Sequence, residues 1–185
     1  MASEKKRLFV AVELPQEIKD ELASICAFFA KKELFVGRCT RPANLHLTLK
    51  FIGAVNKNVV PKINEALQAI SFNVCQAKLG SLDVLPSRRM IKILFAHLNC
   101  PPLGILAKQI ETVLADFVAP ETRDFKNHVT IARIKSVQDK EKLLQEVDRF
   151  AVPALSFAIE EFVLKESELA PEGPIYKDVQ RYVLL

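Results

Sequence analysis

His46-Leu47-Thr48-Leu49 recurs 82 residues later as His128-Val129-Thr130-Ile131. Both copies alternate polar and apolar residues with period two, the signature of a half-buried β-strand. On such a strand His46 and Thr48 share one face, and Leu45, Leu47 and Leu49 take the other. His128 and Thr130 likewise lie opposite Val129 and Ile131. Each copy therefore presents an imidazole beside a hydroxyl, anchored from behind by apolar side chains. Only three histidines occur in the chain, and two carry the pattern. The third, His97, has no threonine two residues on and is expected to serve structure or surface.

Outward from the two motifs, the elements repeat in order. Residues 7–14 are rich in strand formers. Pro15 suits a helix start, and Ile18, Leu22, Ile25/Cys26 and Phe29 recur at helical spacing. A short strand is expected over 35–40 and a turn at Arg41-Pro42-Ala43-Asn44. The first motif strand spans 45–52, with Gly53 ending it. Val60, Ile63, Leu67 and Ile70 mark a second helix. Residues 72–85 read as one long strand or two short ones, Pro86–Arg89 as a basic turn, and 90–98 as a strand. Leu103, Leu106, Ile110, Val113/Leu114 and Phe117 mark a third helix. The second motif strand spans 125–134. Val137, Leu143/Leu144 and Val147 mark a fourth helix, and strands over 155–164 and 176–184 close the chain. Strand, helix, motif strand, helix thus occurs twice. The repetition predicts a duplicated α+β unit with pseudo-two-fold symmetry: one bilobal domain over residues 1–185, with antiparallel sheets lining a central groove and helices outside.

Composition narrows the class. The chain has 185 residues, of which 50% are hydrophobic, with twelve Phe and no Trp. That suits one ordinary domain with a Phe- and aliphatic-rich core. No apolar run is long enough to cross a bilayer, and Met1–Arg7 is a polar lead rather than a secretory leader. Cys26, Cys39, Cys75 and Cys100 stand far apart without a CxxC pair or metal spacing, so reduced thiols in a cytoplasmic protein are expected. Net charge is +4, less than dedicated DNA-binding domains carry. The charge is uneven: Arg38, Arg41 and Lys50 flank the first motif, and Lys126, Arg133 and Lys135 the second. Acids gather elsewhere, as in Glu160-Glu161 and Glu166/Glu168/Glu172. A local positive field at both histidines favours a phosphate ligand.

Two imidazoles across a groove can divide acid and base duties near neutral pH. The hydroxyls of Thr48 and Thr130 can donate to non-bridging phosphate oxygens. No carboxylate-rich ligand set accompanies the histidines, so neither metal nor cofactor is expected.

These stretches resemble the 2H phosphoesterase superfamily, and within it the RNA 2′,3′-cyclic phosphodiesterases, also called 2′-5′ RNA ligases. The resemblance rests on Arg7–Val12, Asn44–Gly53 and Phe125–Arg133. Weaker likenesses are Leu82–Arg89, Ser167-Glu168-Leu169 and Gly173-Pro174-Ile175-Tyr176. It covers nearly the whole chain. One departure is Asn127, where these proteins often have Pro. The resemblance implies His46 and His128 as the catalytic pair, Thr48 and Thr130 on the phosphate, and opening of a 2′,3′-cyclic phosphate to a 2′-phosphate. It also implies reversible 2′-5′ joining of RNA ends. His46 is assigned as acid and His128 as base. Arg133 matches a basic position after the second motif and becomes a phosphate-binding candidate, yet strict alternation puts it on the core face. It reaches the groove only if the strand ends or bulges first. Phe9 and Phe51 are base-stacking candidates.

The expected partners are RNA ends or nucleotides bearing a 2′,3′-cyclic phosphate, bound by a monomer with no membrane contact. The alternatives are a 2H enzyme acting on a small nucleotide, such as an ADP-ribose cyclic phosphate or a 2′-5′ oligonucleotide, a non-catalytic RNA-binding module, and a two-histidine metal enzyme.

Overall fold

The computed structural model describes residues 5–122, 124–171 and 173–185; part of the polar lead, residues 1–4, and Glu172 lie outside them. The strands are β1 (Lys5–Glu13), β2 (Phe35–Cys39), β3 (His46–Asn56), β4 (Cys75–Pro86), β5 (Ile91–Asn99), β6 (His128–Val137), β7 (Ser156–Ile159), β8 (Glu161–Ala170) and β9 (Gly173–Val183). The α-helices are α1 (Gln16–Lys31), α2 (Val60–Gln68), α3 (Pro102–Val113) and α4 (Lys140–Arg149).

All nine strands belong to one antiparallel sheet in the order β7-β4-β5-β6-β3-β1-β8-β9, with β2 also on β6. The two antiparallel sheets expected from the duplication are thus joined edge to edge. The seam is a single registered pair, Leu47 opposite Val129. Beyond it β2 continues along the same edge of β6, from Cys39 opposite Ala132 to Phe35 opposite Val137.

Each helix buries an apolar stripe against the back of this sheet. Ile18, Leu22, Ile25 and Phe29 of α1 are buried, as are Leu103, Leu106 and Ile110 of α3. The matching sheet residues are Leu47, Leu49, Val129 and Ile131, the apolar half of each motif. The first helix of each repeat crosses to the other half: α1 packs on β2 and β6, and α3 packs on β3. The end of α4 closes on α1 through Phe150, whose ring lies 5.1 Å from Phe28 and 5.6 Å from Phe29. Asp139 caps α4, its side chain accepting from the Lys142 amide at 2.9 Å, which satisfies one of the helix's orphan donors.

Several boundaries differ from the sequence expectation. Gly53 does not end β3: it adopts φ +83° within a strand that runs on to Asn56, pairing with Leu8. The first closing strand divides into β7 and β8, which lie at different places in the sheet. Val137 finishes β6 instead of starting α4.

The thiols also depart from expectation. Cys26 and Cys39 are joined, with sulfurs 2.11 Å and Cα atoms 6.0 Å apart. Helix α1 lies over β2, so two positions 13 residues apart meet within bonding range. The spacing alone carries no sign of that approach. Cys75 and Cys100 remain thiols, with sulfurs 3.4 Å apart.

Candidate active site

The two motif strands lie side by side at the centre of the sheet. Antiparallel continuation of the Leu47–Val129 pair sets His46 across from Thr130 and Thr48 across from His128. Directly opposed residues share a face, with Cβ atoms about 5 Å apart. The four polar side chains therefore form a compact square around a local two-fold axis. All four are partly exposed, and Leu47, Leu49, Val129 and Ile131 behind them are buried.

Both rings are held in the same way. Nδ1 of His46 lies 2.7 Å from the carbonyl oxygen of Asn44. Nδ1 of His128 lies 2.8 Å from that of Lys126. A carbonyl can only accept, so Nδ1 is the protonated nitrogen in each neutral ring. Nε2 is then the unprotonated nitrogen of each neutral ring. Nε2 of His46 lies 3.0 Å from Oγ1 of Thr48.

The carbonyls stay in place because the chain beside them is tied down, at Asn44 itself and at Asn127 next to Lys126. Asn44 ends a short 3₁₀ turn (Pro42–Asn44), and its side-chain amide donates to the Pro174 carbonyl at 2.8 Å. The Asn127 amide donates to the Cys100 carbonyl at 2.9 Å, and its backbone carbonyl accepts from the Leu98 amide at 2.9 Å. Asn127 thus anchors the approach to His128.

Burial dominates the proton affinity of both rings. It pulls His46 down to about 4, against the Asn44 carbonyl and the Glu13 carboxylate, which favour the charged form. It also lowers His128, against the Lys126 carbonyl, with His97 and the Lys126 charge adding to the depression. Both imidazoles are therefore mainly neutral in the empty site at pH 7.

The strands flanking the motifs supply unequal neighbours. Glu13 on β1 pairs across from His46, and His97 on β5 pairs across from His128. Burial alone would raise Glu13, but hydrogen bonds from Lys165 and Lys19 outweigh it and hold the carboxyl below its usual range. The buried Lys165 bridges Glu13 and Asp178, each at 2.5 Å. His97 is therefore no distant bystander: Phe95 contacts both it and His128, with ring centroids 4.8 and 5.2 Å apart.

Arg133 is exposed on the motif face, and the reason is a bulge. The β5–β6 register jumps from Phe95–Thr130 to Leu94–Ala132, leaving Ile131 as an extra residue. Ile131 and Ala132 are both buried, and the alternation restarts with Arg133 outward. The first motif strand breaks at the equivalent place. Its register jumps from Ala11–Thr48 to Val10–Lys50, so Leu49 and Lys50 are both buried. Lys50, expected to add charge near the motif, instead points to the back of the sheet and pairs with Glu111 at 2.7 Å.

The same break turns Phe51 outward, at 58% exposure, into the position equivalent to Arg133. Phe9 is only 3% exposed. It sits under the His46 ring at 5.0 Å and against Tyr176 at 4.9 Å, so it supports the site and has little surface for a base. Tyr176 itself meets the His46 ring edge-on at 5.2 Å. Glu13, His97, Lys165 and Tyr176 all escaped sequence reasoning as site residues, because their places depend on strand pairing.

Beside His128 a groove of about 820 Å³ runs along β4 and β5, past Phe95, His97, Lys126 and Asn127 to Asp83 and Arg88. That volume suits a nucleotide-sized ligand. Arg88 is held by Asp148 at 2.9 and 2.5 Å, whereas the Lys126 charge acts on His128. No group of three or more His, Cys, Asp or Glu among the described residues is placed to hold a metal ion. No helix among them is long and apolar enough to cross a membrane.

Comparison with known proteins gives a consistent pattern. The sequence model of the family described as LigT like Phosphoesterase matches residues 12–95 and 101–176. The RNA 2′,3′-cyclic phosphodiesterase of Methanocaldococcus jannaschii is 28% identical, covering 95% of this chain and 99% of that protein. Its namesake in Aeropyrum pernix is 31% identical over 72% of this chain and 78% of that protein. Among solved structures, a Thermus thermophilus protein, TT0787, superposes with a TM-score of 0.79 at 25% identity, covering 96% of this chain and 97% of that one. Escherichia coli LigT in its apo form gives 0.78 at 25% identity, covering 98% and 99%.

Proposed function

We propose, starting from the fact that this chain belongs to the LigT-like phosphoesterase family, that it is an RNA 2′,3′-cyclic phosphodiesterase working by paired-histidine acid–base catalysis. The observation that carries the reading is the two-fold square of His46, Thr130, Thr48 and His128 on one open face. Relatives that cover nearly the full chain bear that activity in their names. All four groups come from one chain, so a monomer suffices.

The chemistry follows from the square. The cyclic phosphate sits among the four side chains, with the Thr48 and Thr130 hydroxyls donating to its non-bridging oxygens. Water attacks phosphorus as one neutral imidazole takes its proton at Nε2. The P–O3′ bond breaks, and the other imidazole, protonated, gives its proton to O3′. The product is a 2′-phosphomonoester, and exchange with solvent resets the two rings. Replacing water by the 5′-hydroxyl of a second RNA end, with the same transfers in the same direction, forms P–O5′ as P–O3′ breaks and gives 2′-5′ joining; the reverse reaction re-forms the cyclic phosphate.

The flanking strands divide the roles. An anionic phosphate raises the proton affinity of both rings. At His46 the Glu13 carboxylate adds to this while the Lys165 and Arg133 charges oppose it; at His128 the His97 and Lys126 charges oppose it. We assign the acid role to His46, the ring that has a carboxylate across from it, and the base role to His128. The direct test is incubation of the purified protein with a 2′,3′-cyclic nucleotide and a cyclic-phosphate-ended RNA in excess EDTA. The expected result is a 2′-phosphate product at undiminished rate. Loss of activity on chelation would point to a metal enzyme, and no turnover of either substrate to a binding module.

A further inference from the structure

We propose that the groove beside His128 is an acceptor site: it seats a second RNA end whose free 5′-hydroxyl takes the place of water as the nucleophile. This rests on the proposed function and on its assignment of His46 as acid and His128 as base.

In-line displacement sets the sides. The attacking and leaving oxygens at phosphorus lie roughly opposite each other. O3′ leaves toward the acid, so the donor ribose, which carries O2′ and O3′, lies on the His46 side. The nucleophile then comes from the His128 side. Hydrolysis needs room there for one water only. The groove holds about 820 Å³, within the range of sites that take a whole nucleotide.

Its walls share the face of the motif histidines. His97 pairs across from His128. Phe95, two residues back along β5, contacts both rings and pairs across from Asp83 of β4. Asn99, two residues on from His97, is exposed. β4 carries this face one strand spacing further from His128, about 5 Å. Gly80 lets β4 close on β5 here: a Cβ at that position would stand 3.2 Å from both the His97 Cβ and the Asn99 Nδ2.

The walls also suit a nucleoside. His97, Asn99 and Asp83 offer hydrogen-bond donors and acceptors to ribose and base, and Leu85 offers apolar area. Lys126 is exposed and supplies a cation for the phosphodiester on the 3′ oxygen of the acceptor. The matching flank of the other half is built differently. There Glu13 takes the place of His97, and it is tied to Lys19 at 2.7 Å and to Lys165 at 2.5 Å. Like motifs with unlike flanks are what a donor and an acceptor approaching from opposite sides require.

The step balances with no other reactant. The acceptor O5′–H gives its proton to Nε2 of His128. P–O5′ forms as P–O3′ breaks, and His46 gives its proton to O3′. The product is a 2′-5′ phosphodiester.

The test supplies a nucleoside 2′,3′-cyclic phosphate together with a dinucleotide bearing a free 5′-hydroxyl. The 2′-5′-joined product and the 2′-phosphate are followed in the same reaction. Joining by the native enzyme is expected to saturate below about 1 mM dinucleotide. With ethanol, too small to use the groove, transfer should rise linearly with concentration. Asn99→Trp fills the groove and should lower joining at least about tenfold more than hydrolysis. Cleavage of a 2′-5′-linked trinucleotide, the reverse reaction, should fall along with joining. Retained hydrolysis shows that the variant is folded; if Asn99→Trp does not fold, saturation by the dinucleotide against ethanol still decides. Three results overturn the acceptor site: no joined product from an enzyme that hydrolyses, joining that rises linearly with the dinucleotide as with ethanol, or equal loss of joining and hydrolysis in an Asn99→Trp variant whose circular dichroism is native. Failure of the native enzyme to hydrolyse the cyclic phosphate would strike the proposed function instead.

Discussion

His46 and His128 are held by the same bond, each Nδ1 on the carbonyl two residues upstream, but their flanks differ. A carboxylate pairs across from one and a second imidazole from the other. The pH dependence of kcat/KM reads this directly, because it reports the free enzyme. In the proposed mechanism the active form has His46 protonated and His128 neutral. Activity is lost as pH rises above the proton affinity of the acid and as pH falls below that of the base. Both affinities are lowered from 6.5, His46 to about 4, so the bell-shaped profile should peak on the acid side of pH 6.5. Replacing His97 with Ala removes a group that depresses His128, and should move the limb that His128 governs to higher pH. A maximum above about pH 7.5 would contradict this account of the rings.

At the scale of elements, the shared bulge decides which side chains reach the groove. Period-two alternation made the faces of His46, Thr48, His128 and Thr130 legible in the sequence, because it is a local property of each strand. The extra residues, Leu49 and Ile131, become visible only through the partner strands β1 and β5. Strict alternation therefore left Arg133 on the core face and Lys50 on the wrong side. Glu13 and His97 were illegible as site residues for the same reason: each reaches a histidine across a register that no single segment encodes, and Tyr176 meets His46 by a ring contact from the distant strand β9. The Cys26–Cys39 bond depends on helix α1 lying over β2. The placement of β2 also makes a stability prediction. Gly37→Ala puts a Cβ within 2.4 Å of a backbone oxygen, so β2 must move off β6. The expected cost is about 1–3 kcal/mol in urea unfolding, and an unchanged midpoint would mean that β2 is not held as described.

The whole molecule turns one repeated unit into one site. Each half brings a motif strand to the seam. Each half's first helix crosses to back the other half's motif strand, as α1 does on β6 and α3 on β3. The repeated element order forecast the pseudo-symmetry, the helices outside and the central groove. It did not forecast that the two sheets fuse through one pair, Leu47 and Val129. That single pair places two motifs 82 residues apart on one continuous surface, and the central claim is that they act there as one acid–base couple. The most direct test is turnover of a 2′,3′-cyclic nucleotide by His46→Ala, His128→Ala and the double variant, with folding checked by circular dichroism. Each single variant is expected to lose about 100-fold or more, with the double variant losing far less than the product of the two, as groups acting in one step do. Native-like turnover in either single variant would contradict the claim.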